Sequence, residues 1–220
     1  MNNLVDLRCD IDNREWLWPK DDVNCWINLN NFKKLHENVM PYVKDKNIMV
    51  QAGGNCGLIL DTFTNYFNNI YTFEPDPINF YCLNHNVTSD KVTKIQSCIG
   101  NSNNPLKIQH LVRDDYPKDI GGVQINGIGL TPCFKIDQLN LPDCNLIQLD
   151  VEGYEVDAIL GAKNTIEKYK PVLCIEFCDK WLKRYNNNVS KLSQLLKKLN
   201  YKEVDSYGVD KIFIYDSSSL

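Results

Sequence analysis

From Asn47 onward, short apolar runs alternate with stretches whose apolar positions recur at helical spacing. That alternation is the signature of βαβ units on a mostly parallel sheet. It predicts strands near Asn47 to Ala52, Ile70 to Phe73, Val92 to Cys98, Leu146 to Leu149, Val172 to Phe177, Tyr201 to Val204 and Lys211 to Tyr215. Helices are expected near Cys56 to Tyr66, Pro77 to Asn86, Glu155 to Lys168 and Val189 to Leu199. The second helix has a legible start, because Asp76 can cap it and Pro77 stands where a missing N–H costs nothing. Around Ser206 to Gly208 the tail should fold back as an antiparallel pair at the sheet edge.

Two segments break the pattern. Residues 1–46 are polar and aromatic, with Trp16, Trp18 and Trp26, followed by a predicted helix from Leu29 to Val43 that carries Phe32, Leu35, Val39 and Met40 on one face. They read as a helical and aromatic cap on a core domain of residues 47–220. Between Lys107 and Ile136 the periodicity is lost, and Arg113, Asp114 and Asp115 are followed by Gly121, Gly122, Gly127 and Gly129. A long loop in a compact domain is usually a lid or binding loop.

A length of 220 residues suits one α/β domain with an extension. The net charge of -4, with arginine confined to Arg8, Arg14, Arg113 and Arg184, argues against a duplex nucleic-acid partner. Nine scattered cysteines with no CxxC pair suit a reducing compartment. With no apolar leader at the start and no run of membrane-spanning length, the cytoplasm is expected and a membrane is not. Oligomeric state stays open.

Candidate chemistry begins at Val50-Gln51-Ala52-Gly53-Gly54-Asn55-Cys56-Gly57, which follows a strand and opens a helix. Glycines let the chain turn tightly and approach a ligand, while a helix start offers free N–H groups. At the end of the next strand stands Glu74, where a carboxylate can accept both hydroxyls of a nucleoside ribose. The glycine spacing is GGxxG, which serves a dinucleotide pyrophosphate poorly. The pair therefore favours S-adenosylmethionine over NAD, although an NAD-dependent oxidoreductase is the alternative enzyme.

Asp150 and Glu152 follow the fourth predicted strand and Glu176 lies at the end of the fifth, at the edge where open α/β sheets bind ligands. Asp150 is either a helix cap or a general base that takes the proton of an acceptor hydroxyl. Glu152 is either solvated or part of the same site, and Glu176 could shape the acceptor pocket. The three carboxyls could also collect a hard cation. With no dense acidic loop or adjacent histidine, a divalent metal is not favoured.

The glycine loop, Phe73-Glu74-Pro75-Asp76-Pro77, Leu149-Asp150-Val151-Glu152-Gly153-Tyr154-Glu155 and Gly161-Ala162 resemble, in order and spacing, the successive motifs of FkbM-type methyltransferases. The resemblance runs from about residue 47 to 215. It implies a Rossmann-like class I methyltransferase, with a doubly wound, mostly parallel seven-stranded sheet and an antiparallel edge strand. S-adenosylmethionine would lie at the carboxyl ends, with Gly53, Gly54 and Gly57 against its methionine part and Ala52, Asn55 and Pro75 among its other contacts. Glu74 would hold the ribose, and Asp76 and Ser97 would flank the adenine. Asp150 would face the cofactor as well as the acceptor. Family members usually carry an acid where this chain has Gln51, and a neutral partner for the cofactor's amino end binds about half as strongly. The implied reaction is O-methylation of a sugar, glycan or related small metabolite, with a non-catalytic S-adenosylmethionine-binding module as the alternative.

Overall fold

The structure, a computed structural model, describes residues 4–113 and 116–219. Its centre is a seven-stranded sheet built from β3 (Ile48–Ala52), β4 (Asn69–Phe73), β5 (Val92–Ile95), β10 (Leu146–Leu149), β11 (Val172–Glu176), β12 (Tyr201–Tyr207) and β13 (Asp210–Tyr215). Across the sheet the order is β12-β13-β11-β10-β3-β4-β5. Every pair from β11 to β5 is parallel, and β13 runs antiparallel to both of its neighbours. The antiparallel strand therefore stands one place in from the rim, and β12 closes the edge. Strand order reverses between β3 and β10, which opens a crevice at their carboxyl ends.

The central strands are continuous apolar runs because both faces are covered. Ile48, Val50, Ile147, Leu149, Leu173 and Ile175 pack on one side with α6 (Glu155–Leu160), α7 (Lys163–Tyr169) and α9 (Val189–Lys198). Met49, Ile70, Leu146, Val172 and Cys174 pack on the other with α3 (Leu35–Val39), α4 (Leu58–Phe63) and α5 (Pro77–Asn86). The predicted cap of α5 is present, since the Asp76 carboxylate accepts from the N–H groups of Ile78 and Asn79, each at 2.9 Å.

Several predicted elements are cut shorter, for local reasons. The Glu155 to Lys168 helix is two helices broken at Gly161, where a Cβ would stand 2.0 Å from the carbonyl oxygen of Gly100. Leu29 to Val43 is α2 (Leu29–Lys33), α3 and a 3₁₀ turn at Met40–Tyr42 that contains Pro41. Its apolar face is still the one expected, with Leu35 and Val39 buried. The run from Val92 ends at Ile95, and Cys98–Ile99 forms a separate strand, β6, beside β9 (Cys133–Phe134).

Larger departures lie in the irregular segments. Residues 107–136 are not a structureless loop but contain a long hairpin, β7 (Leu106–Arg113) with β8 (Tyr116–Ile128). Ile108 faces Ile125 across it and both pack on Cys98, Leu106 and Cys133. Bulges between Leu106 and Arg113 interrupt the two-residue alternation, so the sequence carries no strand period there. Asp114 and Asp115 lie outside the described residues. Residues 1–46 also hold a hairpin, β1 (Val5–Cys9) with β2 (Glu15–Pro19), which buries Trp16 and Trp18 completely. It docks through the Asn86 side chain, which accepts from the Leu17 N–H at 2.7 Å and donates to the Leu17 and Cys56 carbonyls at 2.9 Å.

Candidate active site

β3 delivers the chain into the glycine turn, whose shape is held from three sides. The N–H groups of Gly53 and Gly54 both donate to the Phe73 carbonyl, at 3.1 and 2.9 Å. Gly53 has φ +87° and leaves no room for a side chain, because its Cβ would meet the Asp150 carbonyl oxygen at 1.9 Å. Gln51, fully buried, donates from Nε2 to the Gly53 carbonyl at 2.8 Å and accepts the Thr72 hydroxyl. Gln51 thus fixes the turn from beneath and does not line the crevice. An aspartate could not make that amide donation.

Glu74 ties the two loops together. One oxygen accepts from the Asn55 N–H at 2.7 Å and the other from the Asp76 N–H at 2.8 Å. Burial pushes its carboxyl up to about 8, against the pull of those two N–H groups. The Asn79 side chain also hydrogen-bonds this carboxyl, which keeps part of its accepting capacity for a ligand hydroxyl. Asp76 turns away from the crevice, capping α5 with one oxygen and taking His110 Nε2 at 2.9 Å with the other. Burial acts to raise the Asp76 carboxyl, but His110 and the α5 N–H groups together hold it below the usual carboxylate range.

A cavity of about 280 Å³ fills the crevice. It brings together Ala52, Gly53, Gly54, Asn55, Glu74, Pro75, Ser97, Asp150, Glu152 and Glu176 of the residues expected from sequence. Gln51, Gly57 and Asp76 stand behind its wall. At Gly57, φ is +97° and a Cβ would strike Val87 at 2.5 Å, so this glycine seats α4 on α5. Ser97 spends its hydroxyl on the Cys98 carbonyl at 2.5 Å.

Asp150 does not cap α6. Glu155, the first residue of α6, holds the turn before it, its carboxylate accepting from the N–H groups of Val151 at 3.2 Å and Gly153 at 3.1 Å. Burial pushes the Asp150 carboxyl up to about 6 and the Glu155 carboxyl to about 7. Glu176 and Asp210 are raised too, first by burial and then by the charge of Asp150. Glu152 sits at φ +55° and meets Arg184 at 3.4 Å.

Sequence reasoning missed Asn79, Tyr154, Trp181, Asp210 and the roof formed by Val123 and Ile125 of β8, all lining the cavity. The roof is fastened where the Ile125 N–H donates to the Tyr185 hydroxyl at 2.8 Å, and His110 on β7 fastens it to Asp76. Among the described residues, no group of three or more His, Cys, Asp or Glu is arranged to hold a metal ion. No described helix is long and apolar enough to cross a membrane.

The raised carboxyls set the sign of the protein's pH dependence. Glu74, Glu155 and Asp150 titrate near 4.5, 4.5 and 3.8 when unfolded and near 8, 7 and 6 when folded. The stability they confer is fully present below the unfolded values and is lost as pH rises through the folded ones. Asp76, held low, acts oppositely and only below its ordinary 3.8. The thermal midpoint of the ligand-free protein should fall between pH 4.5 and 8. A midpoint that rises across that window would contradict the burial of these groups.

Among solved structures, the FkbM methyltransferase of Methylobacillus flagellatus KT superposes at TM-score 0.50 with 15% identity, over 87% of this chain and 60% of that one. The chain thus spans about 60% of that protein's length. A putative S-adenosylmethionine-dependent methyltransferase of Methanococcus maripaludis superposes at TM-score 0.52 with 11% identity, covering 88% and 89% of the two chains. No curated protein sequence matches the chain. At these identities the superpositions speak for the fold, a class I methyltransferase sheet. The family model for the methyltransferase FkbM domain matches residues 51–203, from the residue that pins the glycine turn into the closing edge strand, and this chain therefore belongs to the FkbM methyltransferase family.

Proposed function

We propose that the protein uses S-adenosylmethionine to methylate a hydroxyl of a sugar, glycan or related small metabolite, with Asp150 as general base. The observation that carries the reading is that Glu74 and Asp150 line one crevice on either side of the glycine turn. Gly53 and Gly54 line the cavity without side chains of their own, which suits close approach by the cofactor's methionine part, and Glu74 with Pro75 suits its ribose. When bound, the cofactor supplies an electrophilic methyl group on a sulfonium.

The chain's own residues supply position and a proton acceptor. Holding the acceptor in line within a dry site is worth about 7–11 kcal/mol at best. Val123 and Ile125 of the β7–β8 hairpin give the cavity an apolar roof that favours a dry site. Asp150, with its carboxyl raised toward neutrality yet still mostly ionised at pH 7, is suited to remove the acceptor's hydroxyl proton. Glu152 and Glu176 shape the acceptor side. Residues 1–46 serve as a cap seated on α4 and α5, and the free thiols suit a cytoplasmic setting.

Calorimetry with S-adenosylhomocysteine tests the cofactor assignment. Glu74→Ala should lose the hydrogen bonds its carboxyl makes to the ribose, about 1–3 kcal/mol for two, or roughly 5–150-fold in affinity. Normal binding by the variant, or none by the wild type, would refute it. Binding by the wild type without transfer to any acceptor would instead favour the non-catalytic reading.

A further inference from the structure

We infer that the acceptor carries a cationic group, an amine, and that Glu176 and Asp210 select it. This rests on the methyl-transfer reading and names the acceptor's chemistry. Strand order separates two halves of the crevice. The glycine turn and Glu74 belong to β3 and β4, whereas Glu176 ends β11 and Asp210 begins β13, one and two strands beyond Asp150 on the far side. The two carboxyls are direct partners in the β11–β13 register.

Glu176 is only 8% exposed and lines the cavity. Its Oε1 accepts from the Trp181 indole at 3.1 Å, while its Oε2 and the Oδ1 of Asp210 are buried without any hydrogen-bond partner. A buried carboxyl oxygen left unpaired is costly, so two of them on paired residues that line the cavity call for a partner from outside.

Nearby protein cations are committed elsewhere. Arg184 meets Glu152 at 3.4 Å and lies over the Trp181 ring at 4.1 Å, and Lys211, next to Asp210 in sequence, pairs with Glu203 at 2.8 Å. A metal ion is not the natural partner, since no three of the described acidic, cysteine or histidine groups converge on one point. A neutral hydroxyl would satisfy one oxygen but would not offset the charge that Glu176 and Asp210 carry when they ionise. An ammonium group donates three hydrogen bonds and also neutralises charge. Burial raises both carboxyls, as expected of acids waiting for such a partner.

The test titrates the S-adenosylhomocysteine-saturated protein with glucosamine and ethanolamine, each against its N-acetyl counterpart, by calorimetry. The amines should bind at least about 10-fold more tightly than the amides, in keeping with charge-assisted hydrogen bonds. Glu176→Gln and Asp210→Asn should each shrink that preference to about threefold or less while S-adenosylhomocysteine affinity holds, which also shows that the variants are folded. Equal binding of amine and amide, no binding of either amine, or an unchanged preference in both variants would overturn the inference. Wild-type protein blind to S-adenosylhomocysteine would strike the methyl-transfer reading instead, and the same titration of the free protein would still decide amine selection.

Discussion

Asp150→Asn should give a folded protein that keeps its cofactor affinity and transfers methyl groups about 10²–10⁴-fold more slowly, the range for removing a general base. Asparagine keeps the shape but is no base at neutral pH. No described hydrogen bond of the fold depends on the Asp150 side chain, and the turn that follows it is held by the Glu155 carboxylate, which accepts from Val151 and Gly153. Stability at pH 8 should therefore hold or rise in the variant, since a buried charge and its repulsion of Glu176 and Asp210 are removed. A panel of sugars and amino sugars with labelled methyl donor supplies the assay. Transfer at the wild-type rate would move the base to Glu152 or Glu176.

Parts of this site were legible in the sequence because they are local. The turn after β3, the acid after β4 and the Asp76 cap each depend on a few consecutive residues, and chemistry at those positions follows from residue type. What could not be read depends on pairing between distant segments. Asp210 lines the crevice only because β13 enters the sheet between β11 and β12 and sets it beside Glu176. The roofing hairpin escaped notice because its bulges and glycines erase the alternation that marks a strand. Gln51 was expected to face the cofactor, but parallel pairing places it beside Thr72, whose hydroxyl it accepts.

Gln51 also helps explain why the glycine turn should be sensitive to substitution. Gly53 is fixed at its N–H by the Phe73 carbonyl, at its carbonyl by Gln51 Nε2, and against its α-carbon by the Asp150 main chain. An alanine there must hold φ near +87° and also displace a backbone oxygen 1.9 Å from its Cβ. The left-handed backbone costs about 1–2 kcal/mol and the overpacking about 1–3 kcal/mol more. Gly208→Ala is the matched control, since Gly208 has φ +61° with nothing within 4 Å of an added Cβ. Urea unfolding should place Gly53→Ala about 2–5 kcal/mol below the wild type and Gly208→Ala only about 1–2 kcal/mol below it. Because relief at Gly53 can come only by parting the ends of β3 and β10, the same variant should lose S-adenosylhomocysteine binding while still folded at low temperature. Equal costs at the two glycines would mean that the β3 and β10 ends are free to separate, and that the crevice between them is not the rigid cradle its hydrogen bonds describe.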